Sequence, residues 1–219
     1  MNHAGAVENA KNAQNTAPAQ TKDTDTGQDE KEILKGQSKG WQTLREWAQT
    51  IIIALIIALP IRYFVAEPFI VSGASMDPTF ASGQFLVVDR LSYRFEKPQR
   101  DAVIVFEFPN NPSVYYIKRI IGLPGETLKI NDGKITVINA AHPDGLILDE
   151  PFVSPAHASH DTETVTLGQG QYFVMGDNRA QSSDSRAWGN LDAKYIVGRP
   201  ILRLLPLNKL AIWPGDYEK

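Results

Sequence analysis

Glu67-Pro-Phe-Ile-Val-Ser-Gly-Ala-Ser75-Met76-Asp-Pro-Thr-Phe80 is the stretch on which the reading of this 219-residue chain turns. An apolar run of membrane length precedes it, and short strands follow it. The stretch opens extended, through Phe69, Ile70 and Val71, and breaks at Ser72-Gly73-Ala74. That break sets Ser75 at a bend between an apolar strand and a Pro-containing turn. Gly73 and Ala74 leave room for another backbone beside the hydroxyl. A serine there is a weak nucleophile unless a base lies close.

On its N-terminal side, Trp47 to Val65 is apolar except for Gln49, Thr50 and Arg62. A helix that spans a bilayer needs about 20 such residues. Arg62 can snorkel to water near one end, and Trp41, Trp47, Tyr63 and Phe64 suit interfacial belts. The run ends in bulky residues, Ile61-Arg-Tyr-Phe-Val65, with no small-x-small site of the kind that closes a cleavable leader. Residues 41–65 are therefore expected to form one permanent transmembrane helix with its juxtamembrane segment. Lys35, Lys39 and Arg45 precede it and only Arg62 lies just beyond, so the N-terminus is expected in the cytoplasm and the remainder across the membrane. Residues 1–40 are polar, with five Lys against six Asp and Glu. Such a segment buries too little to offset its ordering entropy and is expected to be a disordered tail.

On its C-terminal side, runs rich in β-branched and aromatic residues recur: Ser82–Arg90, Ala102–Phe108, Val114–Ile121, Thr127–Ile130, Lys134–Ile138 and Gln171–Met175. Turn signals separate them, among them Pro109-Asn-Asn-Pro, Asn131-Asp-Gly and Gly176-Asp-Asn. Short strands so spaced predict a mainly β domain over residues 66–219, an antiparallel sandwich or barrel. Residues 140–165 are expected to be a surface loop.

Composition excludes several classes. The formal charge of −3 leaves no basic footprint for nucleic acid. There is no cysteine, hence no thiol catalysis, thiolate metal site or disulfide. His157, His160 and Asp161 could be taken for metal ligands, but they fall in a Pro/Ser-rich loop with no further ligand downstream.

Two later segments carry chemistry. Lys118 lies within the strand Tyr115-Tyr-Ile-Lys-Arg-Ile120, with Tyr116 and Ile120 on its own face. On a buried face the ammonium is disfavoured and its pKa lowered, and a neutral amine can take a proton from serine; on an edge strand the lysine would instead face solvent. Gly176-Asp-Asn-Arg-Ala-Gln-Ser182-Ser-Asp184-Ser-Arg186 is dense in hydrogen-bonding side chains after an apolar strand. Polar residues fixed in a loop on a β scaffold more often serve a site, and a structural turn network is the alternative reading. Asp184 is expected to pair with Arg186, and Asp177 with Arg179.

The three segments, S-M-x-P-T around Ser75, Y-I-K-R-x-x-G-L-P-G-E around Lys118 and G-D-N-R-x-x-S-x-D-S-R from Gly176 to Arg186, resemble the boxes of bacterial type I signal peptidases. These are membrane-anchored serine proteases with a Ser–Lys dyad. The resemblance covers residues 45–200. It implies Ser75 as nucleophile, Lys118 as general base, Ser182 as the serine that holds the lysine, and Asp184 with Arg186 as a brace. It also implies that Phe69, Val71, Ser72 and Gly73 line the substrate strand, with Met76, Tyr116 and Ile117 near the pockets. No metal or organic cofactor is implied. Implied partners are preproteins bearing signal peptides, the lipid bilayer and the export translocon, at the bacterial cytoplasmic membrane. Two places depart from the family pattern. Gly73 stands where some members carry an oxyanion-binding serine, and Arg100-Asp-Ala-Val replaces R-G-D-[IV], which puts the start of that strand in question. A non-catalytic relative acting as an assembly factor would lack Ser75 or Lys118, and both are present. Self-cleaving repressors share the dyad but carry a DNA-binding domain in place of the tail and anchor.

Overall fold

The computed structural model describes residues 26–60 and 66–217. The first part of the expected tail, 1–25, and the end of the expected anchor, 61–65, lie outside the described residues. Helix α1 runs Thr26–Pro60. It starts well before Trp41, so residues 26–40 are helical where composition led to an expectation of disorder. The segment from Glu30 to Leu34 consists of helix-compatible residues, and a formed helix propagates more easily than it nucleates. The large apolar side chains from Ile51 to Leu59 stand exposed. Among the described residues no helix is long and apolar enough to cross a membrane. In the sequence, the apolar run continues through Val65. The chain divides into two units after Ile53.

The strands are β1 (Ala66–Ile70), β2 (Phe85–Asp89), β3 (Val103–Phe108), β4 (Asn111–Gly122), β5 (Thr127–Asn131), β6 (Lys134–Ile138), β7 (Leu146–Ile147), β8 (Glu163–Thr166), β9 (Gln171–Met175), β10 (Leu191–Asp192), β11 (Ile196–Leu205) and β12 (Ala211–Ile212). They form two antiparallel sheets. The larger has the order β1-β2-β11-β3-β4-β9-β10, with β12 on β11, and the smaller the order β7-β6-β5-β8. The fold is mainly β, as the pattern of short runs predicts.

Period-two alternation accounts for the layering. Along β9, Tyr172 and Val174 enter one cluster with Ile104, Phe106, Ile120 and Leu191. Phe173 and Met175 face the other way and pack with Leu128, Ile130, Ile135 and Val137 of the small sheet. Both faces of β9 are covered, so the run reads as continuously apolar. A third cluster, Val71, Met76, Phe80, Leu86 and Val103, lies beneath the turn that carries Ser75.

All six expected strands are present. The start of β3 resolves the departure at Arg100-Asp-Ala-Val. Asp101 takes φ 69°, a left-handed conformation that Asp tolerates better than most side chains, and the strand begins at Val103. Residues 140–165 are largely loop but contain β7 and the start of β8. The long strand β11 was not expected, because Pro200 interrupts its pattern. The ladder to β2 shifts register between Pro200 and Leu202, and a proline is tolerated at such an irregularity.

Candidate active site

The larger sheet brings the Ser75 turn against β4. β1 leads into the bend, where Gly73 has φ 95°, a conformation that suits glycine and disfavours a serine. The glycine that stands here in place of the serine some signal peptidases carry matches this backbone. Lys118, on β4 opposite Ile104, places Nζ 2.6 Å from Ser75 Oγ. Lys118 is 4% exposed. Burial pulls its pKa down to about 8, against partial opposition from the carboxylates of Asp184 and Asp177. The ammonium is disfavoured because little water solvates it, and no carboxylate contacts it directly.

The segment after β9 fastens these two elements together. Arg119, beside Lys118, is fully buried. Its Nε and Nη2 donate to the two Asp177 carboxylate oxygens at 2.8 and 2.7 Å. Its Nη1 donates to the carbonyls of Asp101 and Gly215. Asp177 also accepts from Thr79 Oγ1 at 2.6 Å, so one carboxylate ties the strand of the lysine to the turn after the serine. Asn178 N donates to Ser75 O, and Asn178 Nδ2 donates to Ala74 O, each at 3.1 Å. Gly176 makes this approach feasible, since a Cβ there would fall 2.2 Å from Ser75 O.

Asp184 accepts from Gly176 N at 3.1 Å and forms a two-point pair with Arg186, as expected. Arg186 extends the brace to Asp161 and Ser159 of the long loop and donates to Arg179 O. The expected Asp177–Arg179 pair is not present. Arg179 pairs with Glu150 at 2.6 Å, because Asp177 is already taken by Arg119. The expected Ser182–Lys118 bond is not present either. Ser182 Oγ is buried without a hydrogen-bond partner, and Lys118 Nζ is directed at Ser75.

A cleft of about 290 Å³ opens beside Ser75, lined by Phe69, Val71, Ser72, Gly73, Tyr116, Ile117 and Lys118, among others. Met76 does not line it. Met76 is 1% exposed and packs in the cluster beneath the turn, because the bend after Ser75 turns the next side chain inward. The His157, His160 and Asp161 reading finds no support in the geometry. His160 pairs with Asp132 and Asp161 with Arg186, and among the described residues no group of three such side chains is placed to hold a metal.

Arg119, Asp177 and Asn178 are the site residues that sequence reasoning underrated. A signal was available for Arg119. An arginine at the position alternate to Lys118, in a strand with both faces covered, has to be paired.

The sequence pattern of the family described as signal peptidase, peptidase S26, matches residues 44–205. The chain belongs to the signal peptidase family. A probable signal peptidase I-1 of Synechocystis is 37% identical over 176 residues, covering 77% of this chain and 86% of that protein. Signal peptidase I of Bacillus licheniformis is 37% identical over 179 residues, covering 77% and 92%. A crystal structure of a signal peptidase I from Enterococcus faecalis, 32% identical, covers 48% of this chain and 97% of its own, with a TM-score of 0.40. As a signal peptidase, the chain is a serine peptidase whose substrates are preproteins bearing signal peptides.

Proposed function

We propose that this signal peptidase cleaves exported preproteins after small-x-small sites through a Ser75–Lys118 dyad, at the outer face of the membrane that residues 41–65 anchor it to. The observation that carries the reading is the 2.6 Å contact between Ser75 Oγ and a lysine whose pKa is lowered to about 8.

An extended precursor segment pairs with the outer edge of β1, the terminal strand of its sheet, by strand addition. Neutral Lys118 takes the Ser75 proton as Oγ attacks the scissile carbonyl. The tetrahedral oxyanion rests on the Ser75 backbone N–H, a fixed dipole aimed where charge develops. Lys118, now an ammonium, protonates the leaving amine, and the acyl-enzyme forms. The lysine, neutral again, then activates the water that releases the product.

The anchor reading rests on the apolar run to Val65 and on the exposed side chains of Ile51 to Leu59, a surface that requires cover. The bilayer supplies that cover, and a catalytic domain held at the membrane stands where precursors emerge from the export translocon. The deciding assay incubates the detergent-solubilised protein with a precursor bearing Ala-x-Ala. A single cut after the second Ala is expected. No cleavage, or cleavage elsewhere, would overturn the reading. Protease added outside intact spheroplasts is expected to reach residues 66–219 and spare the N-terminal segment, and the reverse pattern would invert the orientation.

A further inference from the structure

Asn178 is buried, and its side chain spans two polar groups. Gln181 N donates to Asn178 Oδ1 at 3.2 Å, which caps the short turn Arg179–Gln181. That contact fixes which end of the amide is oxygen, since a backbone N–H cannot donate to an NH₂ group. Nδ2 is left to donate to Ala74 O at 3.1 Å, a carbonyl that also accepts from Asp77 N. Asn178 N holds the next carbonyl, Ser75 O. One residue therefore grips both carbonyls that flank the Ser75 Cα.

The consequence follows from the peptide plane. In a trans peptide the carbonyl and the following N–H point in opposite directions within one rigid unit. Holding Ala74 O toward Asn178 turns the Ser75 N–H away from it. Among the described residues no group accepts from that N–H, and Ser75 borders the cleft. With Gly73 offering no hydroxyl, the site depends more heavily on this one backbone donor.

We propose that Asn178 is a positioning residue of the oxyanion site, whose side-chain amide sets the Ala74–Ser75 peptide so that the Ser75 N–H faces the developing oxyanion. The inference rests on the Ser75–Lys118 reading of the site and specifies how its backbone donor is held. Asn178 itself touches no reacting atom.

The test uses the full-length protein in detergent. Asn178→Ser retains an oxygen that can cap the Gln181 turn but is too short to reach Ala74 O, and Asn178→Ala loses both contacts. Both variants are expected to lose at least tenfold in kcat with KM within twofold of wild type. Removal of a whole oxyanion donor costs about 10²–10³ in kcat, which bounds the effect from above. Affinity for a peptide boronate, which forms a tetrahedral adduct on serine, is expected to fall by a similar factor, while affinity for the product peptide holds. The pH midpoint of kcat/KM is expected to stay in place, because Lys118 is undisturbed. Wild-type kcat in folded Asn178→Ser would overturn the proposal. A shifted midpoint would do so too, because it would place the effect on the lysine. If one variant does not fold, the boronate-to-product affinity ratio of the other decides. Activity surviving in Ser75→Ala would instead refute the dyad itself, whatever the Asn178 variants do.

Discussion

Lys118 Nζ and Ser75 Oγ lie 2.6 Å apart across 43 residues of sequence. They meet because β4 and the turn after β1 are fastened to the same segment, Asp177-Asn178. A serine and an amine acting as one unit should not be separable by mutation. Ser75→Ala and Lys118→Ala are each expected to abolish cleavage in a protein that still folds, and the double variant to be no worse than either. Appreciable turnover by folded Ser75→Ala in the precursor assay would remove Ser75 as nucleophile.

In the proposed mechanism Lys118 is the base and has to be neutral to act, so the pH dependence has a defined direction. Burial lowers the Lys118 pKa to about 8, and kcat/KM should climb with pH and reach half its plateau near that value. Below it, activity should fall tenfold per pH unit. A midpoint near 10.5, the ordinary lysine value, would show that the base is an exposed amine.

The same burial makes Lys118 a stability liability. Its folded pKa is below its unfolded one, so the folded state binds fewer protons between about 8 and 10.5, and stability rises with pH through that window. Below about 8 the penalty is present in full. A shift of this size corresponds to a penalty on the order of 3 kcal/mol. Lys118→Met, similar in length and uncharged, should therefore raise Tm at pH 7, and the gain should vanish as pH approaches 10.5. Equal Tm values for the two proteins at pH 7 would mean that water reaches the ammonium.

Much of this arrangement was legible in the sequence, and the parts that were not share a cause. Ser75, Lys118 and the Asp184–Arg186 brace sit in local motifs, where residue type and spacing carry the information. The partners of Asp177 and Arg179 depend on which distant strand lies overhead. Arg119 comes from β4 and Glu150 from the long loop, and no local pattern announces either. The resemblance implies Met76 near the pockets, whereas the bend turns its side chain into the core cluster. Strand β11 was hidden by Pro200, whose cost in a ladder is absorbed by a register shift that only the neighbouring β2 reveals.

The buried Arg119–Asp177 pair should matter far more than an exposed one. Arg119 is fully buried and Asp177 is its only carboxylate partner among the described residues. Asp177→Ala leaves that guanidinium without its counter-charge, and breaking a buried pair from one side costs about 3–5 kcal/mol. Asp192, paired with Lys194 at 3.7 Å in the open, is the control, and its replacement by Ala should cost less than about 1 kcal/mol. Urea midpoints for the two variants test the contrast. Similar losses would mean that the Arg119 site relaxes or admits water.

The cleft also bears on which residues can precede the cut. Its volume is about 290 Å³, and Phe69, Val71, Leu86, Tyr116 and Ile117 contribute to its wall. Val71 and Leu86 belong to the same cluster as Met76, Phe80 and Val103, against which Ile117 also packs, so that wall is backed by close-packed core. The ring of Phe69 meets Tyr115 edge-on at 5.2 Å, which further limits how far that side can yield. An extended substrate directs P1 and P3 to the same side and P2 away, because strand side chains alternate. Two side chains then share one shallow apolar space, which favours Ala, Ser or Gly at both positions. Forcing a larger group into packed apolar surroundings costs about 1–3 kcal/mol, so Phe at P1 should slow kcat/KM at least tenfold relative to Ala, with Val between them. Ile117→Ala should open the wall and narrow the Ala-to-Val ratio while leaving the pH midpoint in place. Matched peptides with Ala, Val or Phe at P1 provide the measurement. Equal rates for Ala and Phe in the wild type would mean that these side chains do not bound the P1 pocket.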